Sequence, residues 1–529
     1  MAKHSFGEIH LDVETGRQGA AVEREPDSPF RVAILGDFSG RASRGIRETG
    51  AKLASRRVIS IDRDNFDEVL ARLAPQLRLP LGGEGEVAVA FKEIEDFRPE
   101  GLFESVEVFH KLRDMRARLA DSRTFAEAAA EGLGAGAGPA AEAVPPVEAP
   151  NAPTASAGGS LLDQIVVGSG SRPLAAPVRR PDELRAYLRQ LVEPHLAPGA
   201  DPRQPELLAK VDAASGDALR KLLHHPAFQA LEAAWRAALF LVRRVETDAN
   251  LKLYLVDVTK AELAADLASA EDLRQTGVYK LLVEKSVETP GAEAWSVLAG
   301  NFTFEPTRDD ALLLARLATI ARAAGAPFIG GAGAPVLGFA SFGDLPDVRK
   351  WAGPADAEAW RAFRALPQAA HVGLAMPRYL LRLPYGRQTD PIERFDFEEM
   401  PGAEEHVGQT SRSVRSVESA HETYLWGNSA FLCALLLAQS FSEAGWAMRP
   451  GMHQDVDGLP LHVFKRDGES VAKPCAEALL TEPAIERMLE LGVMPLVSPV
   501  GRDAVRLVRF QSLADPPAPL AGPWSAAEN

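Results

Sequence analysis

A segment rich in alanine, glycine and proline, residues 128–159, divides this chain into a shorter N-terminal part and a longer C-terminal part. It contains almost no large apolar side chains, so burial cannot offset the entropy lost on ordering its backbone. Its prolines are Pro139, Pro145, Pro146, Pro150 and Pro153. We therefore predict a linker over 128–159 between two folded parts, residues 1–127 and 160–514, and a proline-rich tail over 515–529.

Composition narrows the classes of function open to the 529-residue chain. Its formal net charge of −15 argues against sequence-independent binding of nucleic acid, although a local basic face stays open. Cys433 and Cys475 lack metal-ligand spacing and indicate a reducing compartment. The N-terminus lacks a signal peptide, and the longest apolar run, 430–438, is far shorter than the roughly 20 residues that span a membrane. We predict a cytoplasmic protein and a buried helix at this run.

Hydrophobic periodicity predicts a small α+β unit in the N-terminal part. A strand is expected over 30–35, followed by a turn at 36–40. Asp64 or Asn65 can cap a helix whose apolar positions follow helical spacing. Further strands are predicted over 58–61 and 87–91, and a helical region over 96–119.

In the C-terminal part, helical and strand patterns alternate, which predicts a layered α/β core. A helix is expected from Pro226, with Trp235 on its buried apolar face and Arg243 and Arg244 at its end. The segments that follow are predicted as strands at 251–255, 295–300 and 327–330 and helices at 260–270 and 310–324.

No catalytic, cofactor-binding or metal-ligating residue is predicted, and the chain is expected not to be an enzyme. Residues 330–333 are glycine-rich, but they lack the third glycine of a dinucleotide-binding turn and the lysine of a P-loop, which favours a structural turn. Ser39 lacks the spacing of a nucleophile elbow. His224 and His225 are adjacent, so on a helix they diverge by about 100°. The acidic run 398–406 is expected to be a solvated loop.

Arginines stand among apolar residues over 372–386. One interpretation is a core strand from which the arginine side chains extend to solvent. The other is an interface formed by Arg378, Arg382 and Tyr385, with the guanidinium groups paired to carboxylates. The residues themselves leave both interpretations open.

Several motifs follow one another between Ser160 and Ala514. They include Pro377-Arg-Tyr-Leu-Leu-Arg-Leu-Pro-Tyr-Gly386, Phe395-Asp-Phe-Glu-Glu399 and Tyr424-Leu-Trp-Gly-Asn428. In this order they resemble the large sheath subunit of type VI secretion systems. The N-terminal part resembles the small sheath subunit through Leu35-Gly-Asp-Phe-Ser-Gly40, Ile61-Asp-Arg-Asp-Asn-Phe66 and Asp96-Phe-Arg-Pro-Glu100. The expected fold class is α/β, with a small α+β domain similar to the small subunit linked to a larger α/β domain similar to the large one.

The resemblance implies a structural protein of a contractile sheath. In the family, subunits stack in helical rings around an inner tube and change packing on contraction, which is a rigid-body switch. The two subunits are normally separate chains that form a heterodimer, so a fusion would fix their ratio at one to one. The implied partners are other sheath subunits, the inner tube protein, baseplate proteins and an ATP-driven unfoldase. No cofactor, nucleic acid or direct membrane insertion is implied.

The segment after the linker is a candidate binding site for that unfoldase. Ser160 can cap a short helix on which an apolar face forms. The residues of that face are Leu161, Leu162, Ile165 and Val166. The family's large subunit carries a similar Leu-Leu-Asp segment that the unfoldase grasps. The alternative is that this helix packs on its own domain.

Two departures from the family bear on function. The family's large subunit continues past the region that matches Phe510-Gln511, whereas here a proline-rich stretch follows. A polar stretch over 402–418 is additional. The strands that join neighbouring family subunits lie in the further region, so the sequence also admits a non-polymerising cap, adaptor or assembly regulator of the same machine. An α/β enzyme with an unrecognised site is a second alternative.

Overall fold

The computed structural model describes residues 2–6, 9–13, 27–79, 87–121, 124, 128, 204–354, 357–393, 396–401, 421–466 and 469–524. The predicted linker (apart from Ala128), the candidate unfoldase-binding segment 160–166 and the polar stretch 402–418 lie outside the described residues. The fold is mixed α/β, as predicted. The chain forms two compact units: the first unit comprises Met1–Leu73, Ala230–Pro384 and Met400–Asn529, and the second comprises Ala74–Gln229 and Tyr385–Glu399.

The strands in chain order are β1 Ala2–Phe6, β2 Ile9–Val13, β3 Phe30–Gly36, β4 Ile59–Ile61, β5 Gln76–Leu79, β6 Val87–Ala90, β7 Leu251–Asp257, β8 Val297–Phe304, β9 Phe328–Ala332, β10 Val372–Met376, β11 Tyr379–Leu380, β12 Trp426–Gly427, β13 Asp455–Val456, β14 Val463–Arg466, β15 Glu469–Ala472, β16 Met494–Val497 and β17 Val505–Leu507.

The α-helices are α1 Ala51–Ala54, α2 Phe66–Leu73, α3 Pro99–Ser105, α4 Glu107–Ala120, α5 Gln204–Leu223, α6 Pro226–Arg244, α7 Lys260–Ala268, α8 Gly277–Tyr279, α9 Arg308–Ala324, α10 Ala357–Arg364, α11 Ala430–Ala444 and α12 Glu482–Glu490. A π-helix, Lys280–Glu288, continues α8. Short 3₁₀ helices span Ile94–Phe97, Leu273–Gln275, Ala334–Leu337, Phe342–Asp344, Val348–Lys350, Pro367–His371, His421–Thr423 and Gly445–Ala447.

A large sheet forms the centre of the first unit. Among the described residues it contains nine strands, in the order β13-β17-β16-β10-β9-β8-β3-β7-β4. The run from β16 to β7 is parallel, while β4, β17 and β13 each pair antiparallel with their neighbour. Parallel sheets are covered on both faces, which agrees with the complete burial of β9 and β10.

Helices α9 and α11 pack on this sheet, and local sequence determines the ends of α9 and the burial of α11. Helix α9 begins after Thr307, whose hydroxyl accepts a hydrogen bond from the Asp310 N–H. It ends at Gly325, which has the left-handed φ of 63° that favours glycine. The apolar run 430–438 lies within α11 and is buried, as predicted. Among the described residues, the stretch Ala430–Ala447 alone is long and apolar enough to cross a membrane, and 61% of it is buried inside the protein, as in a core helix.

The turn predicted at the glycines after residue 329 is wrong. Gly330 and Gly331 lie inside β9. A Cβ atom at Gly330 would lie 2.9 Å from the Phe304 ring, and one at Gly331 would lie 2.9 Å from the Asn428 side chain. Close packing against neighbours, rather than a change of chain direction, therefore requires glycine at these positions.

The second unit joins N-terminal and C-terminal segments around aromatic and aliphatic contacts. Phe91 and Phe97 stack with their ring centroids 4.0 Å apart, and both rings contact Phe228 at 5.9 and 6.0 Å. Helix α4 packs on α5 through a small cluster of buried residues. Its members are Met115, Leu119, Ala128, Leu207 and Val211. An ion pair between Arg116 and Asp212, with 2.5 Å between Nε and Oδ1, ties the same two helices together.

Candidate functional site

Strand β3 is the point at which the N-terminal part enters the sheet of the first unit. It pairs with β7 on one side, from Phe30 opposite Leu251 to Gly36 opposite Asp257. On the other side it pairs with β8, from Val32 to Leu35. Both neighbours belong to the C-terminal part, so the main-chain groups on both edges of β3 are satisfied by that part. The N-terminal and C-terminal parts therefore dock on one another within this unit.

The turn after β3 is fixed by a buried carboxylate at the end of β7. One oxygen of Asp257 accepts hydrogen bonds from the main-chain N–H groups of Phe38 and Ser39, at 2.9 and 3.1 Å. Its other oxygen accepts one from the Ser39 hydroxyl at 2.7 Å. Burial raises the pKa of Asp257, and the hydrogen bond from Ser39 opposes that shift. Ser39 is thus a structural residue of the turn, as predicted.

A cluster of charged side chains lies beside this turn, and we call it the Glu262 cluster. It consists of Glu262 from α7 together with Arg41, Glu48 and Arg56 from the N-terminal part. The side chain of Glu262 is 0% exposed, and Arg41 and Arg56 donate to its Oε1 atom at 2.8 and 3.0 Å. Glu48 accepts from the same two arginines at 2.7 and 3.0 Å. The two acids and two bases therefore neutralise one another.

The electrostatics of the Glu262 cluster favour its charged form. Burial alone would raise the pKa of Glu262, but the hydrogen bonds from Arg41 and Arg56 lower it to about 2. Burial alone would lower the pKa of Arg41, but Glu262 and Glu48 raise it. A buried pair of this kind is costly to break from one side, because the remaining charge stays out of water. The cluster joins the two parts of the chain, because Glu262 comes from the C-terminal part and both arginines come from the N-terminal part.

Trp235, on helix α6, packs against the turn that follows β3. Its side chain is 0% exposed, which confirms the predicted burial. Its ring meets Phe38 and Phe66 edge-on, with centroid distances of 5.6 and 5.7 Å. Phe38 and Phe66 come from the N-terminal part, so an aromatic contact accompanies the polar one.

The predicted interface residues have carboxylate partners within the chain. Arg378 donates to Glu477 from Nε at 2.8 Å and to Glu422 from Nη2 at 3.1 Å, and 37% of its side chain is exposed. Arg382 is 8% exposed and donates to the fully buried Glu232 at 2.9 Å. Both guanidinium groups thus pair with carboxylates inside the first unit. The interface itself stays a prediction.

In the second unit, Tyr385 is buried, and its main-chain N–H donates to Glu399 at 2.8 Å. Glu399 is 1% exposed and lies 3.4 Å from Nε2 of His224. The prediction of a solvated acidic loop is therefore wrong for Glu399, since a histidine and a main-chain N–H surround its carboxylate. Residues 402–406 of that run lie outside the described residues.

Sequence patterns did not reveal the Glu262 cluster. The sequence Thr259-Lys-Ala-Glu262 after a strand is the signal of a capping box, and the structure contains one. That signal predicts the start of α7 but not the arginines, which are 206 and 221 positions away. In the described part of the chain, no group of three or more His, Cys, Asp and Glu residues could hold a metal ion.

Comparison with known proteins follows the same division of the chain. The family model for VipB, described as the EvpB tail sheath N-terminal domain, matches residues 205–514. The family model for VipA of the type VI secretion system matches residues 7–131.

Two curated proteins of Pseudomonas aeruginosa are similar to different parts of the chain. The type VI secretion system sheath protein TssC1 is 33% identical over 319 residues, which are 59% of this chain and 61% of TssC1. The sheath protein TssB1 is 28% identical over 131 residues, which are 24% of this chain and 73% of TssB1. The chain thus spans less than two thirds of the length of TssC1.

Proposed function

The chain belongs to the family of type VI secretion tail sheath proteins, and from this membership we propose that it is a structural subunit of a contractile sheath. This chain fuses a part similar to the small subunit with a part similar to the large subunit. We further propose that the protein is not an enzyme and that it works in the cytoplasm. Its role is to assemble around an inner tube and to change packing when the sheath contracts.

The insertion of β3 between β7 and β8 is the observation that carries this proposal. A central strand with partners on both edges cannot leave without exposing two rows of main-chain groups. Within the first unit, the segment of the small-subunit-like part that contains β3 would therefore move together with the sheet of the large-subunit-like part during contraction. A packing switch between rigid protomers requires such cohesion within each protomer.

The proposed partners are further sheath subunits, either copies of this chain or separate ones, the inner tube protein, baseplate proteins and an ATP-driven unfoldase. We place a contact with a neighbouring subunit at Arg378, because part of its guanidinium side chain reaches the surface. Arg382 would support that surface from within the first unit, since it is buried. The third proposed interface residue, Tyr385, is buried in the second unit.

Electron microscopy of the purified full-length chain, alone and mixed with the inner tube protein, tests the proposed assembly. We expect rings or tubes, with the inner tube protein promoting their formation. Monodisperse particles under both conditions would contradict a sheath role and favour the cap, adaptor or assembly regulator.

Recycling by the unfoldase is tested with a peptide spanning residues 160–166. We propose that its apolar face, Leu161, Leu162, Ile165 and Val166, binds a groove in the N-terminal domain of the unfoldase as a short helix. Titration calorimetry should detect binding of this peptide. Replacing Leu162 and Ile165 together by Glu should abolish it, while Gln164→Glu, off that face, should not. Absence of binding by the unmodified peptide would contradict the proposal.

A further inference from the structure

A lysine, a histidine and a glutamate form a hydrogen-bonded chain in the first unit, at some distance in sequence from the Glu262 cluster. Nζ of Lys473 lies 3.0 Å from Nδ1 of His421. Nε2 of the same imidazole lies 3.2 Å from Oε1 of Glu477. The side chains of His421 and Glu477 are 3% and 2% exposed, whereas Lys473 is partly accessible to solvent.

The charge of Glu477 determines which ring nitrogen of His421 carries the proton. Burial alone would raise the pKa of Glu477, but Arg378 and the hydrogen bond from His421 lower it to about 2. An ionised carboxylate only accepts hydrogen bonds, so Nε2 of His421 carries the proton that points to it. In the neutral imidazole, Nδ1 then presents its lone pair to Lys473. A base therefore lies within hydrogen-bond distance of the lysine amine.

Two aromatic rings lie near the amine of Lys473. Its Nζ atom is 5.5 Å from the ring centroid of Tyr424 and 5.6 Å from that of Trp426. The Trp426 indole N–H donates to the main-chain oxygen of His421 at 2.9 Å, which holds ring and imidazole together. The Tyr424 hydroxyl lies 2.7 Å from Nδ1 of His462. The lysine amine thus lies near two aromatic rings and one base.

Burial lowers the pKa of Lys473, although Glu477 and Glu422 act in the opposite direction. A lower pKa increases the fraction of unprotonated amine near neutral pH. An amine that is partly desolvated and has a base in contact with it has the environment of an activated nucleophile. Glu477 would orient that base, as the third member of a nucleophile–base–carboxylate arrangement does.

We propose that Lys473 is a site of covalent acylation by thioesters, with His421 as the base and Glu477 as a positioning residue. The lone pair of the neutral Nζ attacks the thioester carbonyl carbon. The C–S bond breaks, the thiolate leaves and an amide C–N bond forms. The proton lost from Nζ passes to Nδ1 of His421. The product is a neutral amide, so acylation would remove the positive charge beside Tyr424 and Trp426. This proposal does not depend on the role in a sheath.

Acetyl coenzyme A is a suitable probe, and peptide mass spectrometry of the full-length protein gives the initial rate at each lysine. Lys52 is the internal reference, because its side chain is 77% exposed. We expect Lys473 to be acetylated at least about tenfold faster than Lys52 despite its lower exposure, since a positioned base commonly contributes about 100-fold or more. Equal or slower acetylation of Lys473 would overturn the proposal.

The pH profile of the unmodified protein separates activation from simple accessibility. The rate at Lys473 should level off at lower pH than the rate at a free lysine, because burial lowers the pKa of Lys473 and makes its neutral amine abundant sooner. Superimposable profiles would overturn the proposal without any variant. In a folded His421→Gln variant, the rate at Lys473 should fall to that of Lys52, and an undiminished rate would exclude His421 as the base.

Discussion

Trp235 donates its indole N–H to the main-chain carbonyl oxygen of Phe38 at 2.8 Å, across 197 positions of sequence. The donor belongs to a helix of the C-terminal part and the acceptor to the turn that follows β3. Because both groups are buried, each would lack a partner without the other. This hydrogen bond shows on the scale of two residues how the two parts of the chain complete one another.

Trp235→Ala should destabilise the first unit by about 3–5 kcal/mol, since it removes a fully enclosed aromatic side chain and its contacts with Phe38 and Phe66. Trp235→Phe is the matched control. It retains a ring but leaves the Phe38 carbonyl unsatisfied, which should cost about 1–3 kcal/mol. Urea unfolding followed by circular dichroism measures both. Unchanged unfolding of the alanine variant would show that this face of α6 contributes nothing to the fold.

Glu262→Gln should cost about 3–5 kcal/mol, because Arg41 and Arg56 would lose the buried carboxylate that neutralises them. The control is Asp455→Asn. Asp455 pairs with Arg506 at the surface, where the two side chains are 46% and 55% exposed, and its loss should cost about 1 kcal/mol or less. Both variants can be compared in the same urea titration. Similar costs for the two changes would contradict a structural role of the Glu262 cluster.

The stabilisation from Glu262 should also depend on pH. Its pKa in the folded protein is about 2, below its ordinary value of 4.5. A depressed pKa means that the ionised form favours the fold, so this stabilisation is complete above about pH 4.5 and is lost as the pH falls toward 2. The difference in stability between the native chain and Glu262→Gln should therefore shrink between about pH 5 and about pH 3. A constant difference across that window would contradict the assignment.

Arg382→Ala distinguishes an internal role from an interface role. Glu232 is 0% exposed and accepts hydrogen bonds from Arg382 at 2.9 Å and Arg236 at 2.7 Å. Losing one of these partners should cost up to about 3–5 kcal/mol in the isolated protein. Arg387→Ala, at a side chain that is 72% exposed, should cost about 1 kcal/mol or less. Normal stability of Arg382→Ala combined with impaired assembly would reverse this interpretation.

Local periodicity was sufficient to predict several elements. The buried face of α6, the strand at β3, the helix α9 and the buried run in α11 all follow from residue spacing within one element. Each of these four elements buries an apolar face, and the pattern of that face does not depend on which neighbours cover it. The resemblance of the motifs to sheath subunits likewise agrees with the family models that match the chain.

Long-range relationships could not be predicted in this way. Nothing in residues 30–36 specifies that their neighbours are 251–257 and 297–304, because strand order depends on the whole fold. Gly330 and Gly331 signalled a turn, yet the crowding by Phe304 and Asn428 that requires glycine comes from distant segments. The partners of Glu262 are equally remote in sequence. The sequence therefore predicted elements, and the structure was needed for their pairing.

Cleavage of the linker tests the central claim that β3 completes the sheet of the C-terminal part without needing a covalent connection. A specific protease site placed between residues 140 and 150 would divide the full-length protein into its two parts under native conditions. Size-exclusion chromatography with light scattering would then report whether they separate. We predict a single peak that contains both fragments at one to one. Two peaks, each containing one fragment, would contradict the account.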